Sequence, residues 1–153
     1  TMTIRITCVC LGNICRSPIA QAVLAAELGD LDVEVDSVGT GGWHVGEGAD
    51  PRAVQALTRA GYDLEHRARQ ADPRALASSD LILAMDAANL RDLRHMGVQA
   101  DLLRSFDPHA DDTEVPDPYY GSEDGFDEVV AMVRSAVPGI RARVQEFPES
   151  DDR

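Results

Sequence analysis

The segment most suited to chemistry is residues 10–18, CLGNICRSP, which place a cysteine, an arginine and a serine within one short stretch. Gly12 and Asn13 tolerate positive φ angles, which let successive backbone N–H groups turn inward as a concave nest. Such a nest at the start of a helix binds tetrahedral oxyanions, above all phosphate. Arg16 adds a planar guanidinium that can bind two phosphate oxygens at once. The stretch therefore predicts a phosphate-binding loop.

The same loop would act on Cys10, because amide dipoles and a nearby guanidinium stabilise the thiolate, which is the nucleophilic form of cysteine. The hydroxyl of Ser17 is placed to donate a further hydrogen bond to that sulfur. A thiolate is thus expected directly beneath a bound phosphorus atom. The alternative is a buried cysteine at the end of a strand, followed by an Arg-Ser pair that only caps a helix.

Strands and helices alternate along the chain, and their order predicts how the loop is held. β-Prone residues 3–9 precede the loop, and a helical period begins at Ser17 and ends at Gly29. Later elements follow the same signals: strands at 33–38, 81–85 and 101–104, helices after Asp50, Asp72 and Asp86, and a last helix over 126–144 with a kink or split at Pro138-Gly139. This alternation predicts an α/β fold, a single-domain four-stranded parallel sheet with helices on both faces. Its ligand site would lie beyond the carboxyl ends of the strands, where the phosphate-binding loop follows the first strand.

Length and composition limit the class of protein. The 153 residues, 44% hydrophobic and 27% charged, suit one domain, predicted over residues 2–148, with a loose tail at 149–153. No apolar run approaches the roughly 18 residues of a membrane span. All fourteen basic residues are arginine, which excludes lysine chemistry, and a net charge of −13 argues against binding nucleic acid or anionic membranes. Three cysteines clustered near the N-terminus are not a disulfide framework, so a reducing, cytoplasmic location is expected.

Blocks of residues spread over nearly the whole chain resemble the low-molecular-weight protein tyrosine phosphatases. These blocks are Cys10–Pro18, Ser37–His44, His66–Gln70, Ala84–Asp86 and Asp117–Gly121. Five blocks in the family's order are far more specific than the loop alone, since short patterns recur by chance. The resemblance implies hydrolysis of phosphotyrosine in a protein substrate through a phosphocysteine intermediate.

The resemblance also implies a role for each residue of the site. Cys10 would be the nucleophile, Arg16 would bind the phosphate, and Asp117 would act as general acid and then general base. For the long acidic loop around Asp117, the alternative is a solvated turn. Trp43 and Tyr119 would form walls of a slot for an aromatic ring. The remaining contacts to phosphate and substrate would come from Leu11, Gly12, Asn13, Ile14, Cys15, Ser17 and Tyr120; for Tyr120 alone, a residue covering the edge of the core is an equal alternative.

Asn13, Ser37 and His66 would form a supporting network that holds Asn13 in a left-handed conformation. Considered without the resemblance, His66 is better explained as a surface or capping histidine. The other histidines, which receive no role, are His44, His95 and His109.

Two further cysteines need an explanation. Under oxidation Cys15 would form a disulfide with Cys10 that blocks the nucleophile and protects it from irreversible oxidation. Cys8 lies two positions before Cys10 on a strand and is expected to pack in the core.

Three other functions fit parts of the pattern. Arsenate reductases share the loop but relay oxidation through later cysteines, and no cysteine follows Cys15 here. Protein-arginine phosphatases of the family carry threonine where this chain has Ile14, and the bulkier isoleucine favours an aryl substrate. A module that binds phosphotyrosine without hydrolysing it would be expected if Cys10 or Asp117 were replaced. We expect no metal or organic cofactor, and a monomer or weak dimer.

Overall fold

The strands and helices alternate as the sequence predicts. The computed structural model describes residues 3–148, so the tail predicted at 149–153 lies outside the described residues. The elements in chain order are β1 Ile4–Cys10, α1 Arg16–Glu27, β2 Val33–Gly39, α2 Pro51–Ala60, α3 Pro73–Leu76, β3 Leu81–Ala84, α4 Ala87–His95, β4 Asp101–Leu102, a 3-10 helix Leu103–Phe106 and α5 Glu123–Gln145. Over this described range, no helix has the length and apolar character needed to cross a membrane.

The four strands form one parallel sheet in the order β2-β1-β3-β4. Cys10 at the end of β1 pairs with Gly39 of β2, and Val9 pairs with Ala84 of β3. After β1 the chain forms β2 on one side of it and then β3 and β4 on the other side. The direction of strand order therefore reverses at the carboxyl end of β1, which is the switch point of the sheet. Ligands of open parallel sheets bind at this position.

Helices cover both faces of the sheet, as predicted. One face packs against α1, and α2 and α5 close this layer; its core includes the fully buried Ile6, Cys8, Ile19, Phe126 and Ile140. The other face packs against α3 and α4 through Val9, Val38, Leu76, Ile82 and Leu93. The side chains of Cys8 and Val9 enter opposite clusters because successive residues of a strand point to opposite faces. The prediction that Cys8 packs in the core is confirmed.

Three helices start at the aspartates that the sequence indicates. The side chain of Asp50 accepts a bond from the N–H of Arg52, Asp72 caps α3 in the same way, and Asp86 accepts from the N–H of Asn89. Each cap satisfies an N–H group that has no partner within the helix. These caps fix where α2 and α4 begin, close to the carboxyl edge of the sheet.

The structure corrects two predicted elements. The strand expected over 101–104 ends at Leu102, because Leu103 begins a 3-10 helix in which Arg104 turns inward to bind the carbonyl of Glu114 at 2.7 Å. The last helix is not split at Pro138-Gly139 but runs unbroken through Pro138. Pro138 has no N–H to donate to the carbonyl of Arg134, four residues earlier. Both residues are exposed, so this carbonyl lies on the solvent side, while the apolar residues on the other side of the helix stay buried.

Candidate active site

Cys10 lies at the base of the loop that joins β1 to α1, and only 3% of its surface is exposed. Its sulfur is 3.0 Å from the hydroxyl of Ser17 and accepts the backbone N–H of Asn13 at 3.3 Å. The side-chain amide of Asn13 donates to the same hydroxyl at 2.8 Å, so the Ser17 hydrogen is directed to the sulfur at 3.0 Å rather than to the more distant carbonyl of Val38 at 3.5 Å. Both contacts favour a negatively charged sulfur.

The peptide carbonyls of the loop are bound on its outer side. Those of Cys10 and Leu11 accept bonds from Thr40 and Gly41, both at 2.9 Å, and that of Ile14 accepts the N–H of Asp50 at 2.8 Å. The C=O and N–H of one trans peptide unit point in opposite directions. The amides that follow these carbonyls therefore face the concave side of the loop, as a nest for an oxyanion requires.

Asn13 organises the loop from behind and is completely buried. It has a φ of +58°, the left-handed conformation that the sequence predicts. Its amide donates to Ser37 at 3.0 Å, its side-chain carbonyl accepts the N–H of Arg69 at 2.9 Å, and its backbone carbonyl lies 2.6 Å from Nε2 of His66. Ser37 in turn donates to Gln21 at 2.6 Å. The structure thus brings Asn13, Ser37 and His66 together.

His66 must carry its hydrogen on Nε2, because a backbone carbonyl only accepts hydrogen bonds. Burial lowers the pKa of His66, the bond to the Asn13 carbonyl opposes this shift, and Arg69 lowers it further. The neutral ring, with its Nε2–H bound to the loop, is therefore the form that the surroundings favour. An exposed or capping histidine does not describe this position.

Gly12 does not have the positive φ that the sequence suggests. The position instead leaves little room for a side chain, because a Cβ atom at Gly12 would come within 3.1 Å of the ring of His44. Gly39, opposite Cys10 in the sheet, is more restricted still: a Cβ there would lie 2.7 Å from the carbonyl oxygen of Leu11. The end of β2 can approach the loop only without a side chain.

Arg16 is the first residue of α1 and is buried, with 2% of its surface exposed. Its Nη1 donates to Asp86 at 2.7 Å and to the carbonyl of Val115 at 2.9 Å, while Nη2 lies 3.7 Å from the carboxylate of Asp117. Burial acts to lower the pKa of Arg16, but Cys10, Asp86 and Asp117 together raise it above its ordinary value. Arg16 is thus a fixed cation between the loop and Asp117.

A cavity of about 320 Å³ opens above Cys10. Trp43, 71% exposed, and Tyr119 lie on its wall with Tyr120, which is 95% exposed and packs edge-on against Tyr119 at 4.9 Å between ring centres. Its lining comprises Cys10, Leu11, Gly12, Ile14, Cys15, Arg16, Trp43, His44, Asp117, Tyr119 and Tyr120. Asn13 and Ser17, predicted as phosphate contacts, lie behind the loop and do not line the cavity.

Two features of the site escape the sequence prediction. His44 lines the cavity, 6.4 Å from the ring of Tyr119, with Nδ1 3.2 Å from the carboxylate of Glu47. Asp86 binds Arg16, although the sequence indicates only a helix cap. A signal for Asp86 does exist, since it directly follows the end of a central strand, where ligands and their supporting residues gather.

Cys15 also lines the cavity, in surroundings that keep its thiol protonated at rest. Burial, followed by the charges of Asp50 and Cys10, raises the pKa of Cys15 to about 12, so it is a neutral thiol at physiological pH. Its sulfur lies 4.0 Å from a carboxylate oxygen of Asp50. The three cysteines of the chain are free thiols.

Known proteins match the chain over nearly its whole length. The family model described as low molecular weight phosphotyrosine protein phosphatase matches residues 5–149. A low molecular weight protein-tyrosine-phosphatase of Streptomyces coelicolor is 48% identical, and the match covers 97% of this chain and 98% of that protein.

Solved structures share this fold over nearly the whole chain. A protein tyrosine phosphatase from Entamoeba histolytica has a TM-score of 0.89 at 31% identity, over 94% of this chain and 98% of that one. A Drosophila arginine phosphatase has a TM-score of 0.86 at 28% identity, over 97% and 100%. The phosphate-binding loop, the parallel sheet and these matches lead to one conclusion: the chain belongs to the low molecular weight phosphotyrosine protein phosphatase family.

Proposed function

We propose that this chain is a protein-tyrosine phosphatase that hydrolyses aryl phosphate monoesters through a phosphocysteine on Cys10. The observation that carries the proposal is a single cavity lined by a buried thiol, a buried guanidinium and the carboxylate of Asp117. These are the nucleophile, the anion-binding group and the acid that transfer of a phosphoryl group from a phenol requires.

In the first step the thiolate of Cys10 attacks phosphorus in line with the leaving oxygen. A sulfur–phosphorus bond forms, the phosphorus–oxygen bond to the ring breaks, and Asp117 gives its proton to the departing phenolate. The inward amides of the loop and the guanidinium of Arg16 hold the three equatorial oxygens, on which charge is spread in the transition state.

In the second step a water molecule attacks the phosphocysteine, and Asp117, now a carboxylate, takes its proton. The sulfur–phosphorus bond breaks and its electron pair returns to sulfur. The Ser17 hydroxyl and the Asn13 N–H, at 3.0 and 3.3 Å, stabilise the thiolate that leaves. Inorganic phosphate departs, and the enzyme returns to its starting state with one water consumed.

The walls of the cavity support an aryl substrate. Trp43 and Tyr119 offer ring surfaces to a phenyl group, and Ile14 adds an apolar side chain beside the loop. Because Cys10 is almost completely buried at the base, the short side chain of phosphoserine would not bring its phosphorus to the sulfur. Ile14 argues against arginine phosphatase activity, and the lack of any cysteine after Cys15 argues against arsenate reduction.

Three peptides that differ only in carrying phosphotyrosine, phosphoserine or phosphoarginine test the proposal. We expect phosphate release from the phosphotyrosine peptide at least about a hundredfold faster than from the others, and no release by the Cys10→Ser variant.

Equal activity with a chelator present is expected, because the loop amides and Arg16 take the place of a metal. A free thiol must persist for this chemistry, so we place the protein in the reducing cytoplasm, acting on phosphoproteins.

Preferred hydrolysis of the phosphoarginine peptide would favour the arginine phosphatase alternative instead. Tight binding of the phosphotyrosine peptide without release of phosphate would favour a binding module. A rate unaffected by Cys10→Ser would contradict the mechanism itself.

A further inference from the structure

Arg52, on the first turn of α2, connects two parts of the site without lining the cavity. On one side it binds the carboxylate of Asp50 through Nε at 3.1 Å and Nη2 at 2.9 Å. On the other side Nη2 donates to the carbonyl of Tyr119 at 3.0 Å and Nη1 approaches that of Gly121 at 3.5 Å. We call the pair of Asp50 and Arg52 the clasp.

The clasp is anchored to the phosphate-binding loop through Asp50. The backbone N–H of Asp50 donates to the carbonyl of Ile14 at 2.8 Å, and its carboxylate faces the thiol of Cys15. The hydrogen bond from Arg52 holds the pKa of Asp50 below its ordinary value, so this carboxylate stays charged. Asp50 therefore joins the loop that carries Cys10 to the guanidinium of Arg52.

At its other end the clasp fixes the segment that carries Asp117. Both backbone polar groups of Tyr119 are bound: its carbonyl accepts a hydrogen bond from Arg52, and its N–H donates to Oδ1 of Asp117 at 3.1 Å. The guanidinium also lies over two aromatic rings, 5.6 Å from the centre of Tyr119 and 4.6 Å from that of Phe126. Phe126 is fully buried and gives the guanidinium a rigid support.

The opposite flank of Asp117 is held independently. The N–H of Val115 donates to the carbonyl of Met85 at 2.7 Å, and the carbonyl of Val115 accepts from Arg16. Asp117 is itself exposed and reaches the cavity from between these two attachments. Loss of the clasp would remove the hydrogen bonds from Arg52 that hold the Tyr119 side of this segment.

We propose that Arg52 is a positioning residue that sets the distance between Asp117 and the leaving oxygen above Cys10. The inference rests on the proposed role of Asp117 as general acid. The planar fork of the guanidinium is essential to it, since one group must bind a carboxylate and two carbonyls at once. A lysine would keep the charge but cannot make these bonds together.

The leaving-group dependence of kcat/KM tests this inference. Phenyl phosphate releases a basic phenolate that needs a proton, whereas p-nitrophenyl phosphate releases a weaker base that needs it less. We expect Arg52→Ala and Arg52→Lys to lower kcat/KM about tenfold for phenyl phosphate and less than about threefold for p-nitrophenyl phosphate. The ratio of the two values does not depend on how much of a variant is folded.

Arg59→Ala is the matched control, because Arg59 lies on the same helix and also bridges to α5, through Asp127 at 2.9 Å, but does not touch the Asp117 segment. We expect its ratio to equal that of the parent, and inhibition by inorganic phosphate to be unchanged in all three variants. An equal loss on both substrates, or full rescue by Arg52→Lys, would overturn the inference while leaving the proposed function intact. Asp117→Asn shows how far the ratio of the two kcat/KM values falls when the general acid is removed. A ratio equal to that of the parent in this variant would overturn the acid assignment and the inference with it.

Discussion

Arg16 and Asp86 join the first turns of two helices: Nη1 of Arg16, which begins α1, donates at 2.7 Å to Oδ2 of Asp86, which caps α4. The other carboxylate oxygen, Oδ1, accepts the N–H of Asn89 at 2.8 Å. One carboxylate thus caps the start of α4 and orients the guanidinium at the phosphate site. Because α4 follows β3 and α1 follows β1, the bond depends on these two strands being neighbours in the sheet.

Replacing Asp86 with asparagine should separate these two roles. Asparagine keeps an oxygen for the helix cap but loses the charge that holds Arg16. We expect the inhibition constant of inorganic phosphate to rise about tenfold, the effect of losing one charge-assisted hydrogen bond. Asp72→Asn is the control, since Asp72 caps α3 far from the loop. An unchanged constant in Asp86→Asn would show that Arg16 needs no carboxylate partner.

The hydrogen bonds of Asn13 should matter more than its backbone angle. Asn13→Ala removes the bonds and also places an ordinary residue at a φ of +58°, whereas glycine adopts this angle without strain. We expect Asn13→Ala to lower the free energy of unfolding by about 3 kcal/mol and Asn13→Gly to lower it nearly as much, because both leave buried groups unpaired. Urea unfolding measures both values. Parental stability in Asn13→Gly would assign the cost to strain alone.

His66 should make stability depend on pH. Because burial lowers its folded-state pKa, the unfolded chain binds more protons between the folded value and the ordinary one near 6.5. The His66 contribution is therefore complete above the ordinary value and is lost as pH falls through the folded-state value. We expect the free energy of unfolding to rise with pH below about 6.5 and to level off above it, and His66→Gln, which keeps a donor for Asn13, to flatten this rise. The same slope in His66→Gln would contradict this.

Cys15 should protect Cys10 from permanent oxidation, since both thiols line one cavity. Peroxide would convert the Cys10 thiolate to a sulfenic acid, and the thiol of Cys15 would then displace water to form a disulfide that a thiol reductant opens. After peroxide and then reductant, we expect the parent to regain most activity and Cys15→Ser several-fold less. Cys8→Ala serves as control because Cys8 is sealed in the core. Equal recovery in Cys15→Ser would remove the shielding role.

The local parts of this structure are predictable from sequence because short-range chemistry determines them. The phosphate-binding loop, the aspartate caps and the tolerance of Asn13 for a positive φ are each indicated by residues within a few positions of one another, although distant residues complete the loop. The continuous α5 is an exception, because whether Pro138 breaks a helix depends on which side of the helix meets solvent.

The spacing of residues in the sequence cannot predict which distant residues contact each other. The bond of Arg16 to Asp86 spans 70 residues, and that of Arg52 to the Tyr119 carbonyl spans 67. The contact of His44 with the cavity likewise depends on how two loops meet at one edge of the sheet. Such contacts follow from the strand order, which the alternation of elements limits but does not specify.

Cys10 is proposed to carry the phosphoryl group during turnover, and trapping the phosphorylated enzyme is the decisive experiment. Enzyme mixed with p-nitrophenyl phosphate would be quenched rapidly in denaturant, digested and analysed by mass spectrometry. We expect one phosphoryl group on the peptide that contains Cys10 and none in the Cys10→Ser variant, which should also release no p-nitrophenol. Sustained turnover with the phosphoryl group on another residue, or with undiminished rate in Cys10→Ser, would contradict it.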